Sequence, residues 1–182
     1  LVLASGFLLL QGVGAQSPEQ QIINDAATAL GGRDRVLAVK TLLVEGAGHD
    51  MNVSQSLRYD ELGLQSDVNQ IRDYKRAYDL ANGRARFEAT RQAQYPFYTG
   101  NAAARQVQGL DRNVAFNVGA NGNATRVFAP GQISGRRVEY LRHPLTIVRA
   151  ALDPATKLTN GRTQGNERLV DVRAHRPAND AP

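Results

Sequence analysis

Turn signals recur at short intervals through the middle of this chain, and they constrain its fold more than any other feature. Between residues 70 and 126, extended runs are separated by Asn82-Gly83, by Asp111 to Asn113 and by Asn121-Gly122. Asn-Gly tolerates the positive φ angles of a two-residue type I′ turn, which joins neighbouring antiparallel strands. The pattern therefore predicts an antiparallel meander whose first hairpin turns at Asn82-Gly83.

Alternation within the meander predicts which side of the sheet is buried. Val114, Phe116 and Val118 alternate with polar or small residues, and successive side chains of a strand point to opposite faces. These three side chains therefore predict one buried face, with the other facing water or a partner layer. The acidic side chains of the first hairpin are interpreted as cross-strand partners of its basic ones: Asp73, Asp79 and Glu88 with Lys75, Arg76, Arg84 and Arg86.

Helical signals precede the meander. Ser17 is a candidate N-cap, Pro18 follows at the first helical position, and Gly31-Gly32 is a stop signal, which together predict a helix of about three turns. One helical turn capped by Asp34 is expected next, then a strand from about Lys40 to Gly46. Residues 47–69 have no sustained period and predict a long loop.

A second helical region follows the meander. Apolar residues spaced by three and four predict a helix that Pro144 interrupts, because its ring clashes with the preceding turn and it donates no hydrogen bond. We expect two short helices with a bend at His143-Pro144, the second ending before Pro154. The spaced residues are Val138, Leu141, Leu145, Val148 and Leu152.

The chain then predicts a last hairpin. Asn160-Gly161 and Gly165-Asn166 are expected turns between extended runs, and the final strand is expected over Leu169 to Ala174. Helices before and after a run of antiparallel strands are typical of an α+β fold. We expect one such domain over residues 16–174, followed by a disordered tail over residues 175–182.

The N-terminal residues are typical of an export signal. The apolar run from residue 1 to residue 10 is followed by small residues that end at Ala15, so we predict a signal peptide over residues 1–15 that is cleaved between Ala15 and Gln16. A buried helix or a membrane span is the alternative, but the run is about half the roughly 20 residues that a span needs. The expected location is periplasmic or secreted.

Composition excludes several function classes. The chain has no cysteine, so disulfides, a thiolate nucleophile and the lipidated cysteine of a bacterial lipoprotein are excluded, and no stable membrane anchor is expected. The formal charge of +5 comes from 22 Lys and Arg against 17 Asp and Glu, and the two signs are interspersed. A nucleic-acid partner is not expected, because it requires basic residues clustered on one face.

Motifs for catalysis or metal binding are missing from the sequence. The histidines His49, His143 and His175 are isolated, which predicts no metal site in this chain. No Gly-x-Ser-x-Gly elbow surrounds the serines Ser54, Ser56, Ser66 and Ser134. The Gly-Ala-Asn-Gly-Asn-Ala segment lacks the Lys-Ser/Thr ending of a phosphate-binding loop and is interpreted as a turn. His143 precedes a proline at the expected bend and is interpreted as a cap or bend residue.

Three aromatic residues of the first hairpin are candidates for a ligand surface. Tyr74, Tyr78 and Phe87 are able to line a pocket on the concave side of the sheet, and the alternative is that they form its core. No catalytic, cofactor-binding or metal-ligating residue is predicted.

A resemblance to a known family extends over about residues 20–172. It is carried by four stretches: LGGRDRVLAVKTLLVEGAG, YKRAYDLANGRARFEATRQAQYPF, GLDRNVAFNVGANGNATR and HPLTIVRAALDPATKLTNGRTQGNERLVDV. Together they resemble the N-terminal region that precedes the catalytic domain in exported bacterial metallo-hydrolases of the MBL-fold (metallo-β-lactamase) superfamily. The resemblance implies a curved antiparallel sheet, similar to the half-barrel of periplasmic lipoprotein carriers, with the N-terminal helix and the Pro-bent pair packed on it.

The same resemblance implies where the parent protein's chemistry lies. The superfamily's zinc-binding His-x-His-x-Asp-His motif follows this region and is not in the sequence, so zinc is expected only in a catalytic domain outside this chain. That domain of the same parent chain is the expected partner. The segment RAHRPANDAP departs from the family pattern, which predicts that the chain is a fragment with an unpaired terminal strand.

Three functions remain open at this stage. The leading hypothesis is a non-catalytic N-terminal accessory domain of an exported MBL-fold metallo-hydrolase. The alternative is a stand-alone periplasmic carrier that binds an apolar small molecule on its sheet. The third is a small enzyme with a triad assembled from scattered residues, for which we expect no esterase turnover.

Overall fold

The computed structural model of this chain describes residues 16–51, 68–93 and 102–174. The predicted signal peptide over residues 1–15, most of the predicted loop and the predicted tail over residues 175–182 lie outside them. The described elements confirm an α+β fold. In chain order they are α1 (Pro18–Ala29), α2 (Arg33–Ala38), β1 (Thr41–Met51), β2 (Val68–Asp79), β3 (Arg84–Ala93), β4 (Ala104–Asp111), β5 (Val114–Val118), β6 (Ala124–Arg126), α3 (Pro130–Leu141), α4 (Pro144–Leu152), β7 (Lys157–Gln164) and β8 (Glu167–Arg173).

The six strands β1 to β6 form the predicted meander. They pair in sequence order, every pair is antiparallel, and the described strands do not close into a barrel. Helix α3 covers one side of this sheet, which we call the helix-side face. The strand residues on this face include Tyr74, Arg76, Tyr78, Phe87 and Gln108. The other side is the opposite face, where one row of paired residues crosses five strands: Leu43, Ala77, Arg86, Gly109 and Phe116.

The first hairpin forms at the predicted position, but its turn is not of the predicted type. Asp79 pairs with Arg84, so the loop has four residues instead of two, and only Gly83, at φ 66°, has a positive φ within it. The Asn82 backbone N–H donates to Asp79 Oδ1 at 3.1 Å, and this side-chain contact closes the turn in place of a type I′ geometry. The later turn around Arg112 is tight, with Arg112 at φ 53°.

Strand β1 is longer than predicted, which corrects part of the expected loop. Residues 47–51 continue β1 beyond Gly46, and residues 68 and 69 begin β2. The pairing shifts register between Gly46 and Gly48, and such a bulge lets a strand continue past a residue that the ladder cannot accommodate. A sequence without alternation therefore still forms a strand here.

The buried face of the meander is the other one from that predicted. Ala115 is fully buried, at 0 % exposure, whereas Val114 is 37 % exposed. The prediction from Val114, Phe116 and Val118 was wrong because the helices pack on the side that carries Ala115. Alternation identified two faces correctly but does not say which face the rest of the chain covers.

Helix α1 begins as predicted. Gln20 N–H donates to Ser17 Oγ at 3.2 Å, Pro18 occupies the first turn, and the helix ends before Gly31 and Gly32, which have φ angles of 102° and 104°. Asp34 is not a cap, which corrects the prediction, because Gly32 is the N-cap of α2 and Asp34 lies in its first turn. The negative charge of Asp34 in the first turn still stabilises the helix through its dipole.

The Pro-bent pair is confirmed. Helix α3 ends at Leu141, Pro144 begins α4, and α4 ends at Leu152 before Pro154. His143 is the N-cap of α4, and its Nδ1 accepts a hydrogen bond from Leu145 N–H at 3.2 Å. His143 is therefore the cap residue that the sequence indicated.

The small sheet β7–β8 is antiparallel. Its turn at Gly165-Asn166 is confirmed, but Asn160-Gly161 is a bulge inside β7, with Asn160 at φ 56°, and not a turn. Gly161 N–H donates to Glu19 Oε1 at 3.1 Å, which connects the bulge to α1.

Helix α1 packs on this small sheet and on α4. Its buried side chains join those of α2 and α4 in an aliphatic cluster of Ile23, Ala27, Val36, Val148, Ala151 and Leu152. Arg149 of α4 fastens α2 to this core, since its Nη1 donates to the Val36 and Leu37 carbonyls at 2.6 and 2.7 Å.

Candidate functional site

A cavity of about 510 Å³ lies on the helix-side face, over strands β1 to β4. Its floor includes two glycines, Gly46 and Gly48, and a Cβ built on either would meet no atom of the described residues within 4 Å. The bulge that separates these glycines therefore leaves open space above β1. The helix-side residues that line the cavity are Gly46, Gly48, Asp50, Ile71, Tyr74, Arg76, Phe87, Ala89, Arg91, Gln106 and Gln108.

The three predicted aromatic residues share the helix-side face but not one role. Tyr74 and Phe87 line the cavity, whereas Tyr78 does not. Tyr78 is only 3 % exposed, and its ring lies 6.0 Å from Phe87 and 5.7 Å from Tyr140 between centroids. It belongs to the aromatic core beneath α3. The pocket alternative therefore describes Tyr74 and Phe87, and the core alternative describes Tyr78.

The predicted partner of Arg76 was wrong. This arginine was expected to pair with a carboxylate of the same hairpin, but Arg76 Nη2 forms an ion pair with Glu139 Oε1 of α3. Its guanidinium carbon also lies 5.0 Å from the Tyr74 ring centroid and 5.2 Å from that of Phe87. Cation–π contacts of this kind hold a partly desolvated guanidinium against aromatic rings.

The other expected pairs within the first hairpin have mixed outcomes. Glu88 contacts Arg86 at 2.5 Å, but both lie on β3, so this is not the expected cross-strand pair; its cross-strand partner is Arg105 of β4, at 2.6 Å. Asp73 instead accepts from the Thr90 hydroxyl at 2.9 Å, and Asp79 accepts from Asn82. These contacts are local to the hairpin or to its neighbour strand, unlike the long-range contact of Arg76.

A second arginine lines the far end of the cavity. Arg91 forms an ion pair with Asp50 of β1, and Asp50 also accepts from Asn69 Nδ2 at 3.2 Å. Arg91 lies four residues beyond Phe87 on β3, or about 13 Å along the strand. The Nε atoms of Arg76 and Arg91 are both buried without a hydrogen-bond partner among the described residues.

A smaller cavity of about 340 Å³ adjoins the first beneath α3. The two share Arg76, Phe87 and Gln108 as lining residues. The smaller one adds Gln132, Gly135, Arg136 and Glu139, all from α3. Arg136 Nη2 donates to Asn117 Oδ1 of β5 at 2.9 Å, which holds its side chain against the sheet.

The electrostatics of the two cavities reflect partial burial. Desolvation raises the pKa of Tyr74, so its hydroxyl stays neutral. Burial alone would lower the pKa of Arg76, but the Tyr78 hydroxyl and the Glu139 carboxylate raise it above its ordinary value. For Arg136 burial dominates and lowers the pKa, with Glu139 opposing. Both side chains remain cations at neutral pH, because arginine titrates far above it.

The candidate histidines and serines lie on different elements among the described residues. His49 lines the larger cavity, but the described residues include no group of three or more His, Cys, Asp or Glu that could hold a metal ion. Ser134 Oγ donates to the Pro130 carbonyl at 2.8 Å, and the His143 imidazole caps α4. Ser54, Ser56, Ser66 and His175 lie outside the described residues.

Comparisons of the chain with protein-family models, with curated proteins and with solved structures found no match. Within the described ranges, no helix combines the length and the apolar character that a membrane crossing requires. Function is therefore inferred from the geometry of the two cavities.

Proposed function

We propose that this chain is a non-catalytic, exported binding domain that holds a small ligand with an apolar body in the larger helix-side cavity. One observation carries the proposal: a cavity of about 510 Å³ lies over the middle of the sheet and is lined by Tyr74, Phe87 and Ile71. Cavities of a few hundred Å³ that combine apolar and aromatic walls with polar groups able to orient a ligand are typical ligand sites.

The polar groups around these walls are suited to holding a ligand and not to covalent catalysis. Arg76 and Arg91 are anchored by carboxylates, and Gln106 and Gln108 are neutral hydrogen-bonding groups. A nucleophile hydrogen-bonded to a base is the usual trace of covalent catalysis, whereas fixed charges and amides orient a bound molecule. No cofactor is part of the proposal.

Titration with the neutral fluorescent probe N-phenyl-1-naphthylamine tests this role. Ala89 lines the cavity on β3, so Ala89→Phe fills it and is expected to abolish saturable binding. Ala77→Phe is the matched control, since Ala77 is also half-buried in the sheet but lies on the opposite face. Circular dichroism establishes that both variants are folded.

Two outcomes would reject the cavity as the binding site. One is the absence of saturable probe binding by the full chain. The other is binding that survives Ala89→Phe and disappears in Ala77→Phe, which would assign the probe to the groove around Leu43, Ala77 and Phe116.

The accessory-domain role is a second proposal, because one feature of the small sheet favours it. The sheet consists of β7 and β8 alone among the described strands, so each strand has an edge that pairs with no other described strand and is open to a further one. We propose that strands of an MBL-fold metallo-hydrolase parent extend it, with zinc held in that parent's catalytic domain. Sequencing the gene beyond the codon for Pro182 tests this: an in-frame His-x-His-x-Asp-His supports the role, and an immediate stop codon rejects it.

A further inference from the structure

The smaller cavity beneath α3 differs from the larger one in charge. Its charged lining residues are Arg76, Arg136 and Glu139, which sum to one positive charge. The acidic residues Glu45 and Glu88 at the rim of the larger cavity do not offset this charge, because their carboxylates contact Lys75, Arg86 and Arg105.

The carboxylate of Glu139 is also shared. Its Oε1 contacts Arg76 and its Oε2 contacts Arg142 Nη1 at 3.0 Å. Arg136 has an amide, Asn117, as its hydrogen-bond partner, and Arg76 keeps a buried Nε–H that has no partner among the described residues. A guanidinium has five donors that match an oxyanion well, so this end of the site has unused donor capacity.

The two cavities meet at Arg76, Phe87 and Gln108. A ligand that spans the junction meets apolar walls at Tyr74, Phe87 and Ile71 on one side and cationic donors on the other. The side-chain amides of Gln108 and Gln132 are further donors at the polar end.

We propose that the ligand is an amphipathic carboxylate, with its acid group beneath α3 between Arg76 and Arg136 and its apolar chain in the larger cavity. The excess of one positive charge matches a monoanion, whereas a phosphate monoester carries about −1.5 to −2 at neutral pH. This inference rests on the proposed binding function and adds the chemical class of the ligand.

Displacement of N-phenyl-1-naphthylamine from the full chain tests the head group separately from the cavity. Dodecanoate, used below its micelle-forming concentration, is expected to displace the probe at a concentration about tenfold lower than dodecan-1-ol, as one charge-assisted hydrogen-bond pair predicts. Equal potency of acid and alcohol, or tighter displacement by dodecyl phosphate than by dodecanoate, would overturn the inference.

Variants assign the effect to the cavity beneath α3. Arg136→Gln is expected to remove the tenfold preference while probe binding persists, and Arg126→Gln, an exposed arginine of β6, is the matched control. Gln132→Glu, at an exposed α3 residue that lines the smaller cavity, adds a negative charge there and is expected to weaken the binding of dodecanoate alone. A preference that survives both Arg136→Gln and Gln132→Glu would contradict the assignment.

The two proposals fail in different ways. If the neutral probe does not bind, the binding function itself is rejected. If the probe binds in the cavity but acid and alcohol compete equally, only the carboxylate assignment is rejected.

Discussion

The two faces of the six-stranded sheet are built from the same strands but differ in what they bury. On the helix-side face, Tyr78 and Phe87 are 3 % and 8 % exposed, and the polar residues Arg76 and Asn117 form long-range contacts with α3. On the opposite face Leu43 is 53 % exposed, and the ion pair between Lys75 and Glu45 is between adjacent strands. Burial on this sheet is therefore decided by the helices that cover it, not by the apolar content of each row.

The two faces are expected to differ most in the stability that is lost when a large apolar side chain is truncated. Phe87→Ala is expected to lower the free energy of unfolding by about 3–5 kcal/mol, because a buried aromatic leaves a cavity. Leu43→Ala is expected to change it by less than about 0.5 kcal/mol, as for other surface positions. Urea denaturation of both variants measures the difference, and similar losses would show that the opposite face is also covered.

A close contact on the opposite face predicts the next effect. A Cβ on Gly109 would lie 2.1 Å from Phe116 Cζ, so Gly109→Ala is expected to destabilise by about 1–3 kcal/mol through overpacking. Gly48→Ala is the control, since no atom in the described ranges lies within 4 Å of its Cβ position.

A double variant distinguishes the steric effect of Gly109→Ala from a backbone effect. Adding Phe116→Ala removes the ring that the new methyl group contacts. The double variant is therefore expected to be more stable than the sum of the two single losses predicts. Strict additivity would mean that the ring is not the cause.

Ion pairs on the two faces are expected to differ less. Arg76 and Glu139 have side chains only 20 % and 22 % exposed, so Glu139→Gln is expected to lower the free energy of unfolding by about 1–2 kcal/mol. Glu45→Gln removes a pair whose side chains are half-exposed and is expected to lower it by less than about 0.5 kcal/mol. Thermal unfolding at matched ionic strength compares the two, and a reversed order would contradict the difference in burial.

The acid response of Glu88, on the opposite face, is expected to be smaller than the loss at Glu139. Hydrogen bonds from Arg86 and then Arg105 lower the pKa of Glu88 below its ordinary value of 4.5. A carboxyl whose pKa is lower when folded contributes stability above its unfolded pKa and loses it as pH falls through the folded pKa. Glu88→Gln is therefore expected to remove about 0.5–1 kcal/mol at pH 7.

Glu88→Gln is expected to be as stable as the wild type at a pH so low that Glu88 is protonated in both the folded and the unfolded protein. Unfolding measured at pH 7 and below the folded pKa of Glu88 tests this convergence. A difference that persists unchanged at low pH would show that Glu88 acts through packing instead of charge.

The candidate site was only partly predictable from sequence. Tyr74 and Phe87 were identified because aromatics at alternate strand positions share a face, and the structure places both at the cavity. Arg76 was missed, since its partner Glu139 lies 63 positions away on another element and cross-strand rules address only neighbouring strands. Arg136 gave no sequence signal, because an arginine on a polar helix is ordinary.

The sequence by itself determined the features that depend on near neighbours along the chain. The meander order, the Ser17 cap, the bend at His143-Pro144 and the end of α4 before Pro154 follow from turn chemistry, capping and proline sterics, all of which act within a few residues. Only the tertiary structure decided which sheet face is buried, that Gly46 and Gly48 form a bulge, and that three arginines meet two cavities. Those outcomes depend on contacts between residues distant in sequence, and free energies of packing decide between local patterns that are equally compatible with either face.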